Sequence, residues 1–232
     1  MVIEGVRLVE EGLAAGVTVR GVLVEAAFGD DPRSADLLRH IADRGLQVQE
    51  ISARELDDIA DTKTPQGIVA IIETDFAALE DIAPAARAPV LVLDAVQDPG
   101  NVGALLRTAW ALGASGAIAL EGTADVANPK VSRAAMGATF RFPIATAVMG
   151  EFIQWVRRHE VRLWVADTAG APLTKLAIPE KLAVVVGNEG AGVRPDFATV
   201  AHDRVAIPLT RGVESLNVVV AAGIVLHQVM YA

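Results

Sequence analysis

IPLTRGVESLNVVVAAGIVL, residues 207–226, is aliphatic at both ends and polar in the middle. The part before Thr210 suits the end of a buried strand, and the part after Asn217 suits a buried helix. Arg211, Glu214, Ser215 and Asn217 stand where one passes into the other. A surface turn accounts for some of this polarity, and Ser215 would cap a helix over 215–232. Asn217 would then fall in the first helical turn, where an amide has no capping duty. An acid, a hydroxyl and an amide therefore gather at the mouth of an apolar helix.

Around this stretch the chain has 232 residues, 52% hydrophobic and 21% charged, with aromatics at 4%. That supports one large or two modest α/β units around buried aliphatic sheets. There is no cysteine, so disulfides, thiolate metal sites and cysteine nucleophiles are excluded. The opening MVIEGVRLVEEGL is too acidic for a signal peptide. The apolar run 218–232 contains His227 and Gln228 and is short for a membrane span, so it reads as a buried helix. A cytoplasmic protein with no membrane partner is expected.

The net charge of −9 is unevenly spread. Residues 1–72 hold 7 basic and 13 acidic side chains, net −6, and residues 89–232 hold 12 of each. An acidic whole argues against a polyanion partner, yet the neutral part retains arginines that could gather on one face.

The rhythm of the chain predicts strands at 19–28, 46–52 and 66–73, with helices at 34–45 and 53–61, Ser34 as N-cap and Gly45 as stop. Residues 1–73 thus form a small α/β domain. Residues 74–88, alanine-rich with Pro84, read as a linker holding a short helix. From residue 89 the pattern restarts. Strands are expected at 90–96, 116–121, 161–167, 182–189 and 204–209, and helices at 101–113, 129–140, 151–160 and 215–232. Aliphatic strands alternating with helices imply a parallel sheet covered on both faces, with ligands beyond the strands' carboxyl ends.

Two more of those ends are unusual. In LDAVQDPGNVGALLRTA (93–109) a strand stops near Asp94 and Asn101 would cap the following helix. Arg107 leans back over Gly103 and Ala104, whose small size leaves its guanidinium room to reach the strand-end cleft. In VVVGNEGAGVRPDF (184–197) three glycines fall within six residues after a buried strand, permitting close approach of the backbone to a ligand. The spacing is neither a dinucleotide fingerprint nor a phosphate loop. Nothing about a turn requires Glu189.

DPGNVGALLRTA, VVVGNEGAGV and IPLTRGVESLNVVVAAGIVL, in this order and spacing, resemble the three motifs of the SpoU/TrmH family of RNA ribose 2′-O-methyltransferases, within the SPOUT superfamily. VIEGVRLVEE and PQGIVAII extend the resemblance through residues 2–72, where some members carry a small substrate-binding domain. The resemblance implies a parallel-sheet domain closed by a C-terminal trefoil knot, with S-adenosyl-L-methionine held by backbone groups of Gly187, Ile207 and Leu216. It implies a homodimer whose sites borrow residues across the interface. Asn101, Arg107, Glu189, Ser215 and Asn217 match the family's functional positions. It also implies an RNA substrate, with ribosomal RNA ahead of transfer RNA because the two-domain layout resembles members acting there.

A guanidinium is too weak an acid to serve as a base, so Arg107 is expected to anchor a phosphate and donate to the developing alkoxide. Asn101 would orient it or the ribose, Glu189 would hold it or accept the proton, and Ser215 and Asn217 would order the knot loop and donate to cofactor or substrate. RNA contacts are expected from Arg107, Lys130, Arg133, Arg141 and Arg211. The stretch NPKVSRAAMGATF (128–140) departs from the family in having Ala135 where serine is usual, and no basic helix precedes VIEGVRLVEE, which leaves RNA contact by the acidic first domain open. The four histidines show no ligand spacing, and no metal is expected. Arg157, Arg158 and Arg162 beside Trp155 and Trp164 read as a solvated face over buried indoles. A binding protein on the same fold without catalysis is the competing reading. A nucleotide oxidoreductase lacks its glycine fingerprint.

Overall fold

The computed structural model describes residues 1–62 and 64–232. Two sheets organise the chain. The first is built from β1 (Val2–Glu4), β2 (Val19–Glu25), β3 (Val48–Ile51) and β4 (Ile68–Ile72), in the order β1-β4-β2-β3. Its pairings are mixed: β4 runs antiparallel to β1 and β2, and β3 is parallel to β2. Helices α1 (Val6–Ala15), α2 (Pro32–Asp43) and α3 (Ala53–Ile59) connect them. Ile3, Leu13, Val22, Leu37, Ile41 and Ile68 form the core of this unit.

The second sheet contains β5 (Val90–Asp94), β6 (Gly116–Leu120), β7 (Ile144–Ala147), β8 (Arg162–Pro172), β9 (Leu182–Gly187) and β10 (Asp203–Ala206). The order is β10-β8-β9-β5-β6-β7, and every pairing is parallel. Between them lie α4 (Pro99–Leu112), α5 (Pro129–Ala135), α6 (Ala138–Arg141), α7 (Met149–His159) and α8 (Phe197–Val200), and α9 (Val218–Tyr231) follows β10.

Alternation along β5 separates the two faces. Leu91 and Leu93 pack with α4, α5 and α9, while Val90 and Val92 pack with α7 and Phe197. Both faces are therefore buried, which is why these strands read as continuous aliphatic runs. Trp155 and Trp164 are buried as expected; their indole N–H groups donate to Ile82 O and to Asp203 Oδ2. Among the described residues no helix is long and apolar enough to cross a membrane.

Several local expectations need correction. Asp31, not Ser34, caps α2, accepting from the Arg33 and Ser34 amides with Pro32 at the first helical position, where its missing N–H costs nothing. The helix expected over 129–140 is broken in two, because Met136 and Gly137 both adopt positive φ (50° and 86°). The segment expected as a linker is strapped to the second sheet. It makes one 3-10 turn, Leu79–Asp81; Ala77 N donates to Ile144 O, and Ile82 is fully buried. β1, α1 and β7 were not anticipated.

Candidate active site

β9 and β5 are neighbours at the point where the strand order reverses, with Gly187 opposite Asp94 at their carboxyl ends. Such a switch point is where open α/β sheets bind ligands. After Gly187 the chain folds straight back. Asn188 and Gly192 exchange two backbone hydrogen bonds, each 2.9 Å. The Asn188 side chain accepts from the amides of Gly190 and Ala191 and donates to Ala95 O. A Cβ on residue 187 would lie 2.3 Å from the carbonyl carbon of Gly192, so the loop closes only on glycine.

Past the loop, Arg194 donates its backbone N–H to Asp94 Oδ2 (2.7 Å), its Nε to Asp94 Oδ1 (2.5 Å) and its Nη1 to Glu121 Oε1 (2.6 Å). Burial alone would lower the Arg194 pKa, but its hydrogen bonds to Glu121 and Asp94 and their negative charges hold it above its usual value. For Glu121, burial is the largest single effect and pushes the carboxyl up, but the hydrogen bond and charge of Arg194 together with backbone hydrogen bonds bring it below its usual range.

α4 begins earlier than the sequence suggested. Asp98 is its cap, its Oδ1 accepting from Asn101 N at 2.8 Å, and Pro99 opens the helix. Asn101 is therefore not a cap. Its side chain donates from Nδ2 to Glu189 Oε1 at 2.8 Å and accepts from Asn217 Nδ2 at 3.4 Å. Asn217 in turn is the cap of α9, its Oδ1 accepting from Val219 N and Val220 N. The expected roles of Ser215 and Asn217 are thus exchanged: Asn217 caps, while Ser215 lies exposed before the helix. An amide performs both tasks because it carries an acceptor for the helix and a donor for Asn101.

Beside this polar chain lies a cavity of about 680 Å³ at the carboxyl ends of β8, β9 and β10. It gathers Gly187, Glu189, Ile207, Ser215, Leu216 and Asn217 in one wall, with Val186, Val205, Leu209 and Val225 supplying apolar surface. Asp167 of β8 also faces it. A hydrogen bond from Arg204 holds the Asp167 carboxyl below its usual range against the opposing effect of burial.

Arg107 does not line this cavity. It is exposed on α4 and makes no ion pair among the described residues. Gly103, expected to leave room for it, instead admits α5: a Cβ there would lie 2.3 Å from Val131 O. Lys130 and Arg211 are likewise exposed and unpaired among the described residues. Arg133 and Arg141 are committed elsewhere. Arg133 bridges to Asp61 (2.5 Å) and Glu4 (3.6 Å), and Arg141 to Glu11 (2.8 Å), so both tie the second unit to the first.

Sequence reasoning missed Asn188, Asp167 and the Asp94–Arg194 pair as parts of the site. Asp94 carried a usable signal, a carboxylate closing an otherwise aliphatic strand. Arg194 had none, since its partners are 100 and 73 residues away.

A parallel sheet with a cavity at the carboxyl end of β9, beside its switch point, and a polar chain joining α4, the Gly187 loop and the cap of α9 is an arrangement suited to a nucleotide-type ligand. The sequence pattern of the SpoU rRNA methylase family matches residues 88–227, and that of RNA 2′-O ribose methyltransferase substrate-binding domains matches residues 2–76. The chain belongs to the SpoU rRNA methylase family. It is 35% identical to the 23S rRNA (guanosine(2553)-2′-O)-methyltransferase RlmP of Bacillus subtilis over 97% of this chain and 86% of that protein. It is 33% identical to the 23S rRNA (adenosine(1067)-2′-O)-methyltransferase of Streptomyces laurentii over 98% and 84%. Among solved structures, the AdoMet-bound rRNA methyltransferase of Sinorhizobium meliloti superposes with a TM-score of 0.85 at 31% identity, covering 98% of this chain and 85% of that one.

Proposed function

We propose that this chain methylates a ribose 2′-hydroxyl in RNA, with S-adenosylmethionine as donor and ribosomal RNA as substrate class. The observation that carries this is the run Asn217–Asn101–Glu189, hydrogen-bonded along one side of a cavity of about 680 Å³. That volume is within the range of pockets that enclose a cofactor-sized ligand. The walls fit the donor: aliphatic side chains from Val186, Ile207, Leu209 and Leu216 suit an adenine, and the backbone of the Gly187 loop and of residues 207 and 216 offers polar groups at the rim.

S-adenosylmethionine supplies a methyl group already activated on a sulfonium. The protein aligns the acceptor oxygen and handles the proton. With the donor bound, the acceptor hydroxyl would have to give up its proton to a residue of the chain as it takes the methyl group. Glu189, held at 2.8 Å by Asn101, is the carboxylate of the polar chain that can receive it. Arg107 stays charged and serves as phosphate anchor and donor to the oxygen as charge develops. Ser215 and Asn217 order the loop entering α9.

Arg107 reaches such a position from a second copy. It shares the exposed face of α4 with Trp110, one helical turn on, and Val220, Ile224 and Tyr231 are exposed on the adjoining α9. This apolar face supports a homodimer in which Arg107 of one subunit completes the cavity of the other. The fold class also supports threading of the C-terminal segment as a trefoil knot. Residues 1–73 act as the substrate-binding domain, with 74–88 the connection and 89–232 the methyltransferase domain, in a cytoplasmic setting.

Of the five basic residues proposed to meet RNA, Arg107, Lys130 and Arg211 make no ion pair among the described residues. Arg133 and Arg141 would join them only by releasing Asp61, Glu4 and Glu11. Calorimetry with S-adenosylmethionine separates this reading from a non-catalytic binding protein: saturable binding is expected, and none at millimolar cofactor would sink it.

A further inference from the structure

We propose that Asp94, Arg194 and Glu121 form a clamp that positions the Gly187 loop for its cofactor. This rests on the cofactor reading above. None of the three lines the cavity, so they act through the loop rather than on the ligand.

The geometry is unusual in pinning both ends of one loop to one residue. The main chain of Asp94 pairs with Gly187, where the loop leaves β9, and the side chain of Asp94 holds Arg194, just past its far end. Both carboxylate oxygens are used, one by the arginine's backbone N–H and one by its Nε. The backbone bond fixes where residue 194 sits, and the Nε bond fixes which way its side chain leaves. Glu121, just beyond β6, takes the outer Nη1. The clamp therefore spans the carboxyl ends of three adjacent strands, β9, β5 and β6.

The bonds inside the loop do not do this. Asn188 closes the turn on itself through Gly190, Ala191 and Gly192, which sets the loop's shape. Apart from the Asn188–Ala95 bond, its tilt over the sheet end is left to Arg194. Stability alone does not explain the pair either. Asp94 is fully buried, and taking a carboxylate out of water costs several kcal/mol, offset only with good geometry, so a well-packed apolar pair would serve a core equally well. What an ion pair adds at this place is direction. A loop that presents backbone groups to a ligand needs them aimed to within about half an ångström.

The clamp is a positioning device, and its signature is in cofactor affinity, because Glu189 on the same loop has a separate anchor in Asn101. Arg194→Lys keeps the charge but loses the divided Nε and Nη1 geometry. For that variant the Kd and KM for S-adenosylmethionine are expected to rise about tenfold or more, while kcat at saturating cofactor stays within about threefold and KM for RNA is unchanged. Glu121→Gln, which alters only the partly exposed outer arm, should raise the same parameter by a smaller factor and keeps the proposal testable if Arg194→Lys does not fold. Both are measured by calorimetry with S-adenosylmethionine and by steady-state kinetics, alongside the unaltered protein and with folding checked by circular dichroism. Unchanged cofactor affinity in the folded variants, or a loss confined to kcat, overturns the clamp while leaving the methyltransferase reading intact. Failure of the unaltered protein to bind cofactor overturns both.

Discussion

Asn101 donates its side-chain amide to the Glu189 carboxylate at 2.8 Å, joining the first turn of α4 to the Gly187 loop across 88 residues of chain. The bond gives Glu189 a fixed aim without neutralising it. Asn101→Ala should lower kcat/KM by about 10²-fold, in the range seen when an orienting or charge-stabilising group is removed. Asn101→Asp should be worse, since it sets a second carboxylate against the first. Methyl incorporation under single-turnover conditions measures both, and an aspartate variant as active as the alanine one would contradict the assignment.

Asn217 carries two duties that can be separated. Asn217→Asp keeps the acceptor that caps α9 and places negative charge at a helix N-terminus, so thermal stability should be retained. It removes the donor to Asn101, so activity should fall. Asn217→Ala should lose both, with about 1 kcal/mol of destabilisation. Ser215→Ala should leave stability unchanged, because Ser215 does not cap. Paired melting curves and activity assays decide the matter, and equal destabilisation by Asn217→Asp and Asn217→Ala would refute the capping account.

Much of the second sheet was legible in the sequence for one reason: strands buried on both faces must be aliphatic, and little else is. The polar residues at its strand ends were legible because they interrupt those runs. The errors share a cause. At α2, α4 and α9 two polar residues stood two or three positions apart, and either could cap; the caps are Asp31, Asp98 and Asn217, and residue type alone does not choose between the pairs. β7, the short IATA at 144–147, is too brief to show a period. The strap around Ile82 is alanine-rich and looks like a tether, and only its burial against the sheet reveals otherwise. Arg133 read as an RNA contact because its acids, Glu4 and Asp61, are remote in the chain.

Those ion pairs carry their own prediction. Arg133→Ala should loosen the junction between the two units and cost on the order of 1–2 kcal/mol, because Glu4 retains its bonds from Asp61 N and Thr62 N. RNA affinity should fall more on removing Arg107, Lys130 or Arg211. Each phosphate contact to a single strand contributes about 0.7 to the slope of log affinity against log salt. Titrations at several salt concentrations should show a smaller slope for Lys130→Ala and an unchanged slope for Arg133→Ala; the reverse pattern would place Arg133 on RNA.

The Asp167–Arg204 pair predicts a pH effect on stability. The folded carboxyl is held below its unfolded value of 3.8. Its contribution is therefore present above that value and disappears as pH falls through the lower folded one. Asp167→Asn should be less stable than the parent near neutrality and show a shallower loss below about pH 4. Acid titration followed by circular dichroism gives the comparison, and parallel curves would remove Asp167 from the account.

Arg107 is expected to act on substrate and not on cofactor. Arg107→Ala should abolish methyl transfer and leave S-adenosylmethionine binding nearly intact, and Arg107→Lys should remain poor for want of the planar fork. Mixing Arg107→Ala subunits with Glu189→Gln subunits should restore part of the activity if the arginine serves the neighbouring cavity. No recovery in the mixed dimer would place Arg107 within its own subunit's site.

Methyl transfer to a ribose hydroxyl is tested most directly by mapping 2′-O-methyl groups in total RNA from cells with and without this protein. The account predicts that one ribosomal position loses its methyl group when the protein is absent and regains it with the intact chain but not with Arg107→Ala. Identical maps in the presence and absence of the protein would contradict it.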